Sequence, residues 1–218
     1  MRLAYVTLLT TEDYFAGLVT MITSLKATQT TVPIYCIVTP NINDTIINSL
    51  TSELGVNIIR KDTIPCPNHI VERLNSLENH RVHHWQNTFT KLHIFDLTQF
   101  DKIVYLDSDL FIYNSIDDLF TRPHMSAVID SMFLASNMAD IEVIGDEYFK
   151  YFNAGVMVIE PNHQIFEECL EFLEHLPNDR FWGDQNLLAH VFKNWKNQAE
   201  LKLPLEYNCL VTRANVYE

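Results

Sequence analysis

Apolar positions along the chain fall into two alternating rhythms. Residues 3–9, "LAYVTLL", form a short run of β-branched, aliphatic and aromatic side chains, which marks a strand. Phe15, Leu18, Val19, Ile22 and Leu25 then recur at the three- and four-residue spacing of one helix face. "VPIYCIVTP" returns to the strand rhythm between Pro33 and Pro40. "NDTIINSLTSEL" restores the helical one behind a capping Asn or Asp, Gly55 ends it, and "VNIIRKD" reads as another strand. Strand and helix alternating in this way predict an α/β fold, a mostly parallel sheet with helices on its faces. Farther on, "NTFTKLHIFDLTQF" predicts a helix and "DKIVYLDSD" a strand. "MSAVID" and "AGVMVIEP" read as further strands, "QIFEECLEFLEHL" and "DQNLLAHVFKNW" as helices. Residues 62–84 are less regular, and residues 131–150 read as an irregular insertion that carries no motif.

Composition narrows what such a fold can serve. A chain of 218 residues fits a single domain with a proper core, and its 47% hydrophobic and 20% charged residues are ordinary globular values. The net charge of −13 repels nucleic acid over most of the surface. A small anionic ligand is compatible with it where a cation or a local basic residue neutralises the charge. Five glycines argue against a glycine-rich phosphate loop. Cys36, Cys66, Cys169 and Cys209 form no C-x-x-C pair and read as reduced thiols. The opening "MRLAYVTLLTTEDY" is too short and too polar for a signal peptide or a transmembrane segment, so a soluble, cytoplasmic chain is expected.

The candidate chemistry centres on "YLDSDLFI", where an apolar strand stops in Asp107 and Asp109. On extended backbone both carboxylates point to the same side. Together they can hold one hard divalent cation, which can bridge two phosphate oxygens. The alternative is a pair of solvated turn acids. The position favours a site, because ligands of open α/β sheets gather at the carboxyl ends of strands. His80, His83 and His84 have a helical spacing that could ligate zinc, but no Asp, Glu or Cys is placed by sequence to complete such a site. Asp117 and Asp118 in "SIDDLF" are expected to cap a short helix.

At these residues the chain resembles glycosyltransferase family 8, the glycogenin-like and galactinol-synthase-like retaining enzymes, and is similar to short virus-encoded members of that type. "YLDSDLFI" resembles the family's metal-binding D-x-D, and "VTLLTTEDY" its nucleotide-binding first strand and turn. "FNAGVMVIEP" is similar to its N-[AS]-G strand, "GDQN" to its G-D-Q loop and "LPLEYN" to its L-P-x-x-Y-N segment, in the family's order over nearly the whole chain.

The resemblance implies a single Rossmann-like GT-A domain that moves a hexosyl group from a UDP-sugar, UDP-glucose by default, to a hydroxyl of a glycan or glycoprotein acceptor. It implies that Leu9, Thr10, Thr11 and Tyr14 border the uracil and that Ser108 lies close to the ribose. Asp107 and Asp109 would hold Mn²⁺ or Mg²⁺, and Lys91 would lie near the donor phosphates and sugar, with Arg81 a weaker candidate for that task. Asn153, Ala154 and Gly155 would pass beside the sugar ring. Asp184 and Gln185 would face it from the side opposite the leaving phosphate. Without the resemblance, Lys91 reads as a solvated charge, Asp184 as a helix N-cap and Tyr14 as a helix-face aromatic. Retention through a covalent carboxylate intermediate and retention by front-face attack both stay open.

The family's closing H-x-x-G-x-x-K-P-W stretch, whose His is a third metal ligand, has no counterpart here, since the last histidine is His190. Two other readings follow. One is a sugar-nucleotide-binding module that has lost turnover. The other is a nucleotidyltransferase, which would want a basic, glycine-rich loop where "LLTTEDYF" stands.

Overall fold

The computed structural model describes residues 1–75, 80–130, 151–177 and 183–209. The expectations for residues 131–150 and for the side chains of His80, Arg81, His83 and His84 fall outside what is described.

Seven strands form one sheet: β1 (Leu3–Leu9), β2 (Ile34–Val38), β3 (Asn57–Arg60), β4 (Lys102–Leu106), β5 (Ser126–Ile129), β6 (Phe152–Ile159) and β7 (Lys202–Leu203). Their order is β3-β2-β1-β4-β6-β5-β7. The first four pair in parallel, β6 runs antiparallel to both of its neighbours, and β7 is parallel to β5. The fold is therefore α/β with a mixed, mostly parallel sheet, as the alternating rhythms predict.

The central strands are apolar on both faces because both faces are covered. Ala4, Val6, Ile103 and Tyr105 pack on one side with Phe89, Leu92, Phe95, Leu187, Leu188 and Trp195. Tyr5, Leu9, Val104 and Leu106 pack on the other with Leu18, Met21, Ile22 and Leu25 of α1 (Phe15–Ala27). The indole of Trp195 is fully buried and donates to the Met125 carbonyl at 2.8 Å.

Helix α2 (Asp44–Asn48) begins as its sequence predicts, with the Asn43 side chain accepting from the Ile46 N–H at 2.9 Å. Helices α3 (Asn68–Asn75), α4 (His163–Glu174) and α5 (Asp184–Val191) follow. The helix predicted over "NTFTKLHIFDLTQF" is instead part of a 3₁₀ segment, His80–Asp96. Phe89, Leu92 and Phe95 are spaced at the three-residue period of that geometry and all three are fully buried, so the tighter winding brings one apolar row onto the sheet. Among the described residues no helix is long and apolar enough to cross a membrane.

Antiparallel β6 decides where the site lies. Parallel β1, β2 and β4 all end at one edge, and β6 begins there, with Leu106 opposite Val156. The Asp107 N–H donates to the Gly155 carbonyl at 2.9 Å, which joins the acidic end of β4 to the first residues of β6.

Candidate active site

Lys91 is the hub of this edge. Its side chain comes off the 3₁₀ segment and is nearly fully buried, at 7% exposure, where the sequence alone reads a solvated charge. Three oxygens surround its Nζ: Asp184 Oδ2 at 2.5 Å, Asp107 Oδ1 at 3.1 Å and the Ala154 carbonyl at 3.3 Å. The Tyr105 ring lies beneath it, 5.0 Å from Nζ to the centroid. Burial pulls the lysine pKa down, but the carboxylates of Asp107 and Asp184 outweigh burial and hold it above the ordinary lysine value. Lys91 is therefore an ammonium.

Asp107 has divided duties. Its Oδ1 receives the Lys91 ammonium and the Tyr105 hydroxyl, the latter at 2.8 Å. Burial pushes its carboxyl above the ordinary value, and Lys91 opposes that rise. The Tyr105 phenol is raised in turn, first by burial and then by Asp107, so it acts as a neutral donor. Tyr105 was missed by motif reading, although a residue two positions before Asp107 on a strand points to the same face.

The two acids do not stand on extended backbone as predicted. The strand ends at Leu106 and the chain turns at Ser108 and Asp109. Gly17 permits that turn: a Cβ on it would stand 2.9 Å from the Ser108 carbonyl oxygen, so only hydrogen leaves room. Asp109 is exposed and makes no side-chain hydrogen bond or ion pair among the described residues. Burial raises the Tyr14 phenol, and the charges of Asp109 and Asp107 raise it further.

A divalent cation fits the donor set. Asp107 Oδ2 and the Asp109 carboxylate are hard oxygen ligands of the kind that suit Mg²⁺ or Mn²⁺. Among the described residues no third His, Cys, Asp or Glu joins them.

Asp184 is not the N-cap. Gly183 holds that position, its N–H donating to Asn186 Oδ1 at 3.3 Å, and Asp184 is the first helical residue, turned onto Lys91. Gln185 is committed at both ends, since its Oε1 accepts from the Ala154 N–H at 3.1 Å and its Nε2 donates to Asp130 Oδ2 at 2.6 Å. Asn153 Oδ1 accepts from the Gly155 N–H at 2.8 Å and from Asn208 Nδ2 at 2.7 Å. Asn208 is the closing letter of the "LPLEYN" segment that the resemblance marks, whereas Asp130 carries no signal beyond the strand it ends.

Leu9, Thr10 and Thr11 form the neighbouring rim. The Leu9 carbonyl accepts from the Thr39 N–H and the Thr10 carbonyl from Asn41 Nδ2, which ties the end of β1 to the end of β2. The Tyr14 N–H donates to the Thr11 carbonyl at 3.4 Å, and its phenol feels the charges of Asp109 and Asp107. Asp117 and Asp118 cap nothing: Ile116 precedes their 3₁₀ turn, and they accept instead from hydroxyls, Asp117 from Tyr5 and Thr30 and Asp118 from Tyr207.

The chain is 31% identical over 211 residues to Glycogenin-1 of Caenorhabditis elegans, an alignment that covers 94% of this chain and 43% of that protein. It is 28% identical over 217 residues to Galactinol synthase 1 of Solanum lycopersicum, covering 95% and 64% of the two chains. It thus spans about half the length of the curated relatives it matches. Among solved structures, the galactosyltransferase LgtC in complex with donor and acceptor sugar analogs superposes with a TM-score of 0.65 at 22% identity, over 87% of this chain and 70% of that one. The glycosyltransferase GlyE of Streptococcus pneumoniae superposes with a TM-score of 0.61 at 22% identity, over 94% and 46%. These likenesses identify the sheet and its helices as the GT-A fold. The family profile described as glycosyl transferase family 8 matches residues 5–216, strand β1 through the acidic turn to the segment bearing Asn208, and the chain belongs to that family.

Proposed function

We propose that the protein is a metal-dependent retaining glycosyltransferase that moves a hexosyl group, by default glucose, from a UDP-sugar to a hydroxyl of a glycan or protein acceptor. The observation that carries this reading is the Lys91 ammonium held between Asp107 and Asp184. One carboxylate belongs to the turn that would meet the diphosphate and the other to the helix start that would meet the sugar. A single fixed charge thus spans the bond to be broken.

Each group has a task in this scheme. Leu9, Thr10, Thr11 and Tyr14 would receive the uracil, and Ser108 the ribose. Asp107 and Asp109 would hold Mn²⁺ or Mg²⁺, which when bound takes up the negative charge that gathers on the departing diphosphate. Lys91, buried and shared between Asp107 and Asp184, would fix the acid turn and the helix start relative to each other beside the same oxygens. Asp184, on the opposite side, would steady positive charge developing on the sugar. Its ion pair with Lys91 makes it a weak nucleophile, and the Gln185 amide is held at both its oxygen and its nitrogen. Both facts favour front-face attack, with the leaving phosphate accepting the proton of the acceptor hydroxyl, over a covalent sugar–enzyme intermediate.

A panel of UDP-sugars with Mn²⁺, read as UDP release, tests the assignment. Asp109→Ala is expected to remove metal-dependent UDP binding, and Asp184→Ala to lower transfer by about 100-fold while UDP binding persists. Unchanged metal-dependent UDP binding in Asp109→Ala would show that the cation sits elsewhere.

A further inference from the structure

Three polar atoms crowd the point where a Cβ would stand on Gly155: Asn153 Oδ1 at 3.0 Å, Asn208 Nδ2 at 3.2 Å and Asp107 Oδ2 at 3.2 Å. The hydrogen bonds around them have a fixed sense. A backbone N–H can only donate, so the 2.8 Å contact from Gly155 identifies the Asn153 atom it meets as the carbonyl oxygen. The second partner of that oxygen, 2.7 Å away, is then the amide nitrogen of Asn208. With Oδ1 taken twice, the Asn153 NH₂ group is what remains for a ligand, and it has no hydrogen-bond partner among the described residues.

Asn208 is itself firmly held. It is buried, and its N–H donates to the Leu205 carbonyl at 3.1 Å. Its neighbour Tyr207 reaches the other way, donating to Asp118 Oδ2 at 2.5 Å. The short segment after β7 is thereby pinned to the turn that follows the acids on one side and to β6 on the other.

We propose that Asn208 is a positioning residue that locks the Asn153 amide with its NH₂ group toward the sugar of the bound nucleotide. The proposal rests on the reading above that this cleft holds a UDP-sugar. It makes Asn153 a donor only, so Asn153 recognises a sugar hydroxyl through the oxygen and never through the proton. The neutral amide at 208 also spares Asp107 Oδ2 a further negative charge in the same corner, which an aspartate of equal size would add.

A double-mutant cycle separates this role from a merely structural one. Asn208→Ala, Asn153→Ala and the double variant are titrated with UDP-glucose and with UDP, both in Mn²⁺, alongside kcat/KM for transfer and a thermal melt. Asn208→Ala is expected to weaken UDP-glucose binding about tenfold while UDP stays within about twofold. In the Asn153→Ala background the Asn208→Ala change is expected to add nothing, because it acts through the missing amide. Asn208→Asp is expected to lose more than Asn208→Ala. Equal losses for UDP and UDP-glucose, or additive losses in the double variant, overturn the positioning role while leaving the transferase reading intact. A wild-type chain that binds neither nucleotide overturns the transferase reading and this proposal with it.

Discussion

At the scale of single residues, Lys91 shows how a charge comes to be kept inside a protein. An ammonium at this depth is tolerable because two carboxylates, a carbonyl and an aromatic face replace its water. Lys91→Met keeps the bulk of the side chain and removes the charge, leaving Asp107 and Asp184 facing each other. This variant is expected to cost about 3 kcal/mol of folding stability, measured by denaturant titration, with Asp184→Asn in the same chain returning part of the loss. A Lys91→Met protein as stable as the parent would mean that the two acids are already relieved by solvent. Nothing in the local pattern around Lys91 announces this burial, since "TKLH" reads equally well as an exposed turn of helix. The partners that bury the lysine lie on other strands and another helix, and residue spacing is blind to them. The acids themselves were legible, because an abrupt stop in an apolar strand is a local signal. The turn between them was not, because it depends on the bare backbone of Gly17 in a different element.

At the scale of elements, the His80–Asp96 segment packs on α4 and also meets it in one ion pair that makes its own prediction. His163 is the first residue of α4, where the helix dipole disfavours a positive ring. Asp96, at the end of the 3₁₀ segment, meets its Nδ1 at 2.7 Å, and Lys61 meets the other Asp96 oxygen at 2.8 Å. The hydrogen bond that His163 Nδ1–H donates to Asp96 raises the His163 pKa, with Glu167 adding to the effect. A raised histidine pKa favours the protonated folded state. The linked stability is therefore complete below the ordinary histidine value and is lost as pH rises through the raised one. In an NMR titration the His163 imidazole is expected to titrate above the ordinary range, and Asp96→Asn to bring it back down. An unmoved titration in Asp96→Asn would assign the shift to Glu167. The strands and α1 were readable at this scale because each is a contiguous run with its own period. The 3₁₀ winding was not, since a row of apolar residues three apart also satisfies a helical pattern. The antiparallel insertion of β6 was invisible too, because apolar periodicity carries no sense of chain direction.

At the scale of the whole molecule, a net charge of −13 surrounds a site proposed above to take an anion. Lys91 is spoken for by two carboxylates, so the protein alone offers a diphosphate little attraction. In EDTA, UDP affinity measured by calorimetry is expected to rise as salt goes from ~10 to ~150 mM, because shortening the screening length from ~30 to ~8 Å hides like charge. With Mn²⁺ present the affinity is expected to be higher throughout. An EDTA affinity that fell with added salt would point to a basic cradle that the charge distribution does not provide. The buried ammonium has one more consequence, for protein engineering. It touches stretches of chain that meet only when the sheet, the 3₁₀ segment and α5 are all assembled. Grafting the acid turn onto a foreign scaffold would therefore transfer a pair of repelling anions and none of the chemistry, and a working transplant would have to carry every stretch that converges on that single nitrogen.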